Sequence, residues 1–323
     1  MRSRRHAGRR RDRPGPARRT DRKRHQDRAF RQELTEGEMS RILYLNGAWL
    51  PESEARVSVF DRGFLMADGI YEVTCVLDGK LVEYAGHSAR LQRSARELGL
   101  TVPLDAEALL AVHREIVARN ALDQGMIYLQ LTRGAADRDF AYPPAGTPPT
   151  LLLFTQAKNV LENKAAERGI SVALLPDLRW GRRDIKTIQL LYPSMAKMEA
   201  MARGADEAWL VEDGLVTEAC AATAHIVTAE GVLVTRDLSH ALLPGVTRAS
   251  VLELAGTHGV RVEERAFTSD EARSAREAFI TSATNFVVPV TRIDGQAVGD
   301  GAPGALTRRI RDIYIETRRA AAI

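Results

Sequence analysis

The sequence predicts an α+β fold in two domains, and three observations carry that expectation. Dipeptides that favour tight hairpin turns recur in both halves, at Asn46-Gly47, Asp78-Gly79, Asp213-Gly214, Glu230-Gly231 and Asp294-Gly295, each beside strand-like residues. Between them, apolar residues at helical spacing predict helices over residues 88–98, 106–120, 193–203, 247–258 and 305–318. Finally, 323 residues exceed the roughly 150 expected of one domain, and a polar, charged stretch separates the strand "TLLLFTQ" from the strand "ISVALLP". The domain boundary is placed there. The expected division is a small N-terminal domain over residues 39–157, a linker over 158–168 and a larger C-terminal domain over 169–323.

The elements follow in order. From Ile42 to Leu50 an alternating run is broken by Asn46-Gly47, so two strands meet in a hairpin. The Asp78-Gly79 turn has "YEVTCVL" before it and "KLVEY" after it. In the helix expected at 88–98, Leu91 and Leu98 share one face. No internal repeat or low-complexity tract follows Met39.

Charge and composition exclude several classes of protein. The formal net charge is +4, but residues 1–38 hold 14 basic and 6 acidic residues, leaving 32 basic and 36 acidic from Met39 onward. The folded body is therefore mildly acidic, which argues against a nucleic-acid surface on it. The basic segment has too few apolar residues to fold alone. It reads as a nucleic-acid arm, an organelle-targeting peptide or the product of a start placed upstream of Met39. Asp12, Asp21 and Asp27 weaken the targeting reading, and "MSRILYLNGAWLP" favours a folded protein opening at Met39. No run approaches the ~18 apolar residues of a membrane helix, so a cytoplasmic protein is the expectation. Two cysteines, Cys75 and Cys220, are too few for a disulfide framework or a zinc cluster, and no metal site is expected.

Three places have the makings of chemistry. In "LPGVTRASVLELAG", Pro244-Gly245 ends an extended run and a helix opens, so the amides of Val246 and Thr247 and the Thr247 hydroxyl suit an anion. In "RWGRRDIKTIQLLYPSMAKMEA", Lys186 lies beside Ile185 and Ile188 with Arg182 and Arg183 near. Apolar neighbours and nearby cations are what lower a lysine's pKa and make it a nucleophile. Lys197 and Lys80 are its rivals. Glu218 closes the strand "GLVTEA" ahead of Ala219, Cys220, Ala221 and Ala222, small neighbours that leave room for a bulky ligand. A pyridine ring used as an electron sink needs such an acid at its nitrogen.

Taken in order, "YLNGAWLP", "VFDRGFLMADGIYEV", "GHSARLQRSA", "IYLQLTRG", "RWGRRDIKTIQLL", "AKMEAMARGADEAWL", "GLVTEA", "LPGVTR" and "ITSATNFVVPV" resemble the motifs of the class IV, or fold type IV, pyridoxal-phosphate aminotransferases, in particular the D-amino-acid branch. The likeness runs from about Arg41 to Arg318. It implies a two-domain fold with pyridoxal 5'-phosphate between the domains and Lys186 holding it as a Schiff base. It further implies Glu218 at the pyridine nitrogen, Leu243 against the ring, and Arg90, Val246, Thr247, Ser282, Ala283 and Thr284 around the phosphate. Tyr71, Tyr128 and Arg138 are implied in substrate binding, Arg138 from the second subunit of a homodimer. The implied reaction moves the amino group of a D-amino acid such as D-alanine to a 2-oxo acid such as 2-oxoglutarate, in two half-reactions.

This chain departs from the family pattern in three places. Phe140 stands where a histidine is frequent two residues after the carboxylate-binding arginine. Ala219, Cys220, Ala221, Ala222 and Thr223 replace a glycine, serines and an asparagine. Ala283 replaces a threonine. Competing readings are a branched-chain or R-amine transaminase, a lyase of the same fold, a protein that binds the cofactor without turnover, and nucleic-acid binding through the basic segment.

Overall fold

The computed structural model describes residues 40–323, and the basic segment lies outside the described residues. Residues Arg41–Ile323 form one compact unit. It holds two sheets, and the chain completes the first before starting the second.

The first sheet has the order β2-β1-β6-β5-β3-β4 and is antiparallel throughout. Its strands are β1 (Ile42–Leu45), β2 (Ala48–Pro51), β3 (Gly69–Leu77), β4 (Lys80–Leu81), β5 (Gly125–Thr132) and β6 (Thr150–Ala157). The short helix α1 (Arg62–Met66) precedes β3, and α2 (Tyr84–Leu98) and α3 (Ala106–Arg119) lie between β4 and β5. Leu91, Ala95, Leu109 and Ile116 on these two helices pack against Ile70, Val76, Ile127 and Leu129 of the sheet. The Asn46-Gly47 and Asp78-Gly79 dipeptides form the expected turns, with Asn46 and Asp78 both at positive φ.

After α4 (Lys164–Arg168) comes the second, mixed sheet, ordered β12-β11-β10-β13-β14-β7-β8-β9 with β15 on β14. Its strands are β7 (Ile170–Pro176), β8 (Glu207–Glu212), β9 (Leu215–Ala219), β10 (Thr223–Val227), β11 (Leu233–Thr235), β12 (Val262–Glu264), β13 (Glu277–Ser282), β14 (Phe286–Ile293) and β15 (Gln296–Ala297). The helices α5 (Leu191–Ala202), α6 (Val246–Thr257), α7 (Ser269–Ser274) and α8 (Ala305–Ala320) complete it. Strands β9, β10 and β14 are buried at almost every position because both faces are covered. Five of the helices occupy the places that the apolar periodicity predicts; α1, α4 and α7, five or six residues each, are too short to show it.

Two features tie the halves together. Tyr71 N–H donates to Lys186 O (3.0 Å), Ile188 N–H donates to Gly69 O (3.1 Å), and Ile70 bridges Thr187 in antiparallel sense. At the other side the last residue, Ile323, exchanges backbone hydrogen bonds with Leu81 (2.8 and 3.1 Å). Among the described residues no helix is long and apolar enough to cross a membrane.

Trp209 is fully buried against Phe267, with ring centroids 6.2 Å apart, in the cluster between the second sheet and α7. Trp209→Ala is expected to cost about 3–5 kcal/mol in urea unfolding, the range for deleting a buried aromatic.

Candidate active site

A chamber of about 680 Å³ opens between the two sheets. Strand alternation supplies its first wall: Tyr71 and Val73 on β3 and Met126 on β5 line it, while Glu72 and Thr74 are buried. The loop from β7 to α5 supplies the second wall, with Arg179, Arg183, Ile185, Lys186 and Ile188. The ends of β9 and β13, the loop before α6 and the first turn of α6 close the chamber with Glu218, Thr281, Leu243, Val246 and Thr247.

Lys186 is carried to the centre by the backbone pairing of residues 186–188 with 69–71. Its own N–H donates to Ser94 Oγ (3.3 Å), and its Nζ stands 4.2 Å from the centroid of the Tyr71 ring. The rival Lys197 is on α5 and donates to Glu207 (3.0 Å); neither it nor Lys80, at the exposed start of β4, lines the chamber.

Glu218 lies at the end of β9 and is buried. Arg179 Nη1 donates to one carboxylate oxygen, and the amide of Leu243 approaches both, at 3.4 and 3.3 Å. Burial raises the Glu218 pKa, against the opposing charge and hydrogen bond of Arg179. Arg179 in turn is gripped by Asp177 (2.6 and 2.9 Å), which also accepts from Thr217 (2.7 Å). Arg183 continues the chain to Glu212 at 2.6 and 2.8 Å.

An anion cradle forms where α2 meets the start of α6. Gly245 is the N-cap of α6 and offers no side chain to its first amides. Thr247 is 3% exposed, and its Oγ1 has no hydrogen-bond partner among the described residues. Arg90 Nη1 donates to Pro244 O (3.0 Å), and Gly86 lies so close to Val246 that an added Cβ would meet its Cγ1 at 2.7 Å. Ser282, at the end of β13, and Ala283 and Thr284, in the turn that follows, line the same chamber. Arg90 is held by Glu72 through Nε (2.8 Å) and Nη2 (2.9 Å), and His87 Nδ1 is 2.9 Å from the same carboxylate. Burial alone would raise the Glu72 pKa; the charge and hydrogen bonds of Arg90 and the bond to His87 hold it well below the ordinary value.

The sequence-predicted residues Lys186, Glu218, Arg90, Leu243, Val246, Thr247, Ser282, Ala283, Thr284 and Tyr71 thus share one chamber. Tyr128 and Arg138 do not line it within this chain. Tyr128 stands behind Tyr71, stacked at 5.6 Å, and its hydroxyl donates to Gln130 (2.9 Å); burial pushes its pKa up to about 12. Arg138 is exposed on the loop from β5 to β6, 5.4 Å from the centroid of the Phe140 ring. Arg179, Glu72 and His87 escaped the sequence reading. The only signals were the three-residue spacing of His87 and Arg90 on one helix face and the alternation of Asp177 and Arg179.

This donor set suits a phosphorylated pyridine aldehyde. An orphaned hydroxyl, uncapped amides and a paired guanidinium meet an anion. A buried carboxylate meets a protonated ring nitrogen, and a lysine amine meets an aldehyde carbon. Among the described residues no group of three or more His, Cys, Asp or Glu could hold a metal ion.

The family described as Amino-transferase class IV matches residues 69–293, which hold every one of these chamber residues. The chain belongs to the class IV aminotransferases. It is 40% identical over 266 residues to a D-alanine aminotransferase of Bacillus licheniformis, covering 82% of this chain and 93% of that one. It is 34% identical over 278 residues to a D-alanine aminotransferase of Staphylococcus aureus (strain MSSA476), covering 85% and 98%. Among solved structures it resembles a class IV relative, the branched-chain aminotransferase of the thermophilic archaeon Thermoproteus uzoniensis, with TM-score 0.76, 27% identity and coverage of 85% and 94%.

Removing one partner of the buried Glu72–Arg90 pair is expected to be costly. Glu72→Gln should lose about 3–5 kcal/mol at neutral pH in urea unfolding. Because the folded pKa of Glu72 lies below its ordinary 4.5, its contribution is complete above 4.5 and is lost as pH falls through the folded value. The gap between wild type and variant should therefore narrow in acid.

Proposed function

We propose that the protein is a pyridoxal-phosphate-dependent D-amino-acid aminotransferase, which moves the amino group of a D-amino acid such as D-alanine to a 2-oxo acid such as 2-oxoglutarate. The observation that carries the reading is the position of Lys186, its Nζ 4.2 Å from the Tyr71 ring centroid in a chamber that also holds the Glu218 carboxylate and the anion cradle. The printed activity of the two D-alanine aminotransferases supports the choice of substrate.

In this reading the phosphate is bound by Arg90, by the first amides of α6 with the Thr247 hydroxyl, and by the turn at Ser282, Ala283 and Thr284. Glu218, held in place by Arg179, would accept a hydrogen bond from the protonated pyridine nitrogen, and Leu243 would pack beside the ring. Bound there, pyridoxal phosphate supplies a sink for the electron pair left when an amino acid loses its Cα proton. Lys186 would hold the cofactor covalently through its side-chain amine. Once freed by the incoming amino group, its amine would take the proton from Cα of the amino acid as general base and, as general acid, return it to the cofactor carbon that bears the transferred nitrogen. Tyr71 walls one side of the lysine, its ring centroid 4.2 Å from Nζ. A second 2-oxo acid reverses the steps, which makes the kinetics ping-pong.

The family resemblance implies that the substrate α-carboxylate is held by Tyr71 together with Arg138 of a second copy, and Arg138, exposed and apart from its own chamber, is placed consistently with that. A homodimer is the assembly proposed. Exposed Phe60, Phe64, Leu191, Met195 and Met198 are apolar surface of the kind such an interface covers.

Two experiments test the reading. Full-length protein loaded with pyridoxal phosphate should show a visible absorption band that Lys186→Ala lacks, and D-alanine but not L-alanine should bleach it. A band bleached by L-leucine instead would favour the branched-chain reading, which the likeness to the Thermoproteus uzoniensis enzyme motivates. Arg138→Ala should lower kcat/KM for amino acids about ten- to hundredfold, the worth of a charge-assisted carboxylate contact. Mixing Arg138→Ala and Lys186→Ala chains should restore activity if the arginine acts across the dimer; no recovery would place it in its own chain's site.

A further inference from the structure

His87 is a buried polar chamber residue that the mechanism leaves idle. It is 3% exposed, lines the chamber, and sits on α2 one residue after Gly86, where that helix touches Val246, and three before Arg90, which reaches Pro244 O. The α2 face that carries Gly86, His87 and Arg90 therefore abuts the N-terminus of α6, where Thr247 Oγ1 is left without a partner.

Resting on the cofactor reading above, we infer that His87 is a further phosphate-binding residue and that Glu72 is the positioning residue that sets its proton. The bonding pattern dictates how. Glu72 is ionised and uses one oxygen for Arg90 Nε and the other for Arg90 Nη2 and His87 Nδ1. A carboxylate only accepts, so His87 Nδ1 is the donor and carries a hydrogen. Arg90 Nη2 at 3.4 Å from that nitrogen is consistent, since it has its own short bond to Glu72. The remaining polar atom of the ring is Nε2. Beside a phosphate oxygen it binds only as a donor, so the ring carries both protons when the phosphate is present.

The charged groups around His87 agree with that state. On β3, Glu72 is negative; on α2, Arg90 is positive and neutralised by the same carboxylate; on α3, His113 Nδ1 donates to Leu109 O (2.7 Å) and burial lowers its pKa to about 4, so it stays neutral. With Glu72 and Arg90 cancelling, the imidazolium supplies the positive charge that the Glu72–Arg90 pair no longer offers a phosphate dianion. Glu72 thereby holds two donors in place and leaves the cradle cationic.

The test uses full-length protein loaded with pyridoxal phosphate and labelled with ¹⁵N-histidine. The His87 ring, assigned by comparison with His87→Gln, should give the nitrogen shifts of a doubly protonated imidazolium. His87→Asn, which keeps an amide near the Nδ1 position and loses Nε2, should bind the cofactor about tenfold more weakly in equilibrium dialysis. His87→Gln, with an amide nearer the Nε2 position, should recover part of that loss. Equal melting temperatures of the cofactor-free proteins separate this from misfolding; should His87→Asn melt early, the nitrogen shifts of the wild type decide alone. An unprotonated Nε2 in the loaded wild type, or unchanged affinity in a stable His87→Asn, overturns the inference and leaves the cofactor reading standing. A wild type that binds no pyridoxal phosphate overturns both.

Discussion

The pairing of residues 186–188 with the start of β3 is the interaction on which the site depends. Strand β4 covers only Val76 and Leu77 of its neighbour, so the edge of β3 at residues 69–71 is open, and the loop leaving the second sheet fills it. An open edge is a row of unsatisfied amides and carbonyls, and closing it satisfies both segments at once. The consequence is functional: the register puts the Lys186 carbonyl on the Tyr71 amide and so sets the lysine amine over the tyrosine ring. Gly69 permits the approach, because a Cβ there would stand 2.7 Å from Leu131 O and 3.1 Å from Ile188 Cδ1.

Around that strap the chamber is organised by buried charge. The step from Leu243 to Pro244 serves both clusters, with the Leu243 amide directed at Glu218 and the Pro244 carbonyl accepting from Arg90. Each cluster buries charges that cost several kcal/mol to desolvate, and each is nearly closed internally: Asp177, Arg179 and Glu218 in one, Glu72, His87 and Arg90 in the other. Such networks add little to stability. Their use lies in fixing where a carboxylate and a cationic cradle stand in a space with little solvent to screen them.

The hairpins were legible because turn chemistry is local: Asn46, Asp78, Asp213 and Asp294 all take the positive φ that their dipeptides with glycine announce. The longer helices were legible from apolar spacing, and the cofactor residues from the order of motifs. What escaped is long-range or neutral to pattern. Nothing adjacent to Arg179 says that it will meet Glu218, 39 residues on, and nothing in "IYEV" says that Glu72 will point into a buried cluster rather than to solvent. The run from Ala219 to Thr223 that departs from the family pattern forms the end of β9 and the start of β10. There Cys220, Ala221 and Ala222 line the chamber without hydroxyls, an apolar stretch of wall beside Glu218. Tyr128 and Arg138 were read from motif position alone, and a position in a motif does not say which chain's chamber a side chain serves.

The central claim is that Lys186, among all lysines of the chain, carries the cofactor. Borohydride reduction of the protein loaded with pyridoxal phosphate, followed by digestion and mass spectrometry, would fix the cofactor to whichever amine holds it. The account predicts a phosphopyridoxyl group on the peptide containing Lys186 at one per chain. The same group on Lys197 or Lys80, with Lys186 unmodified, would contradict it.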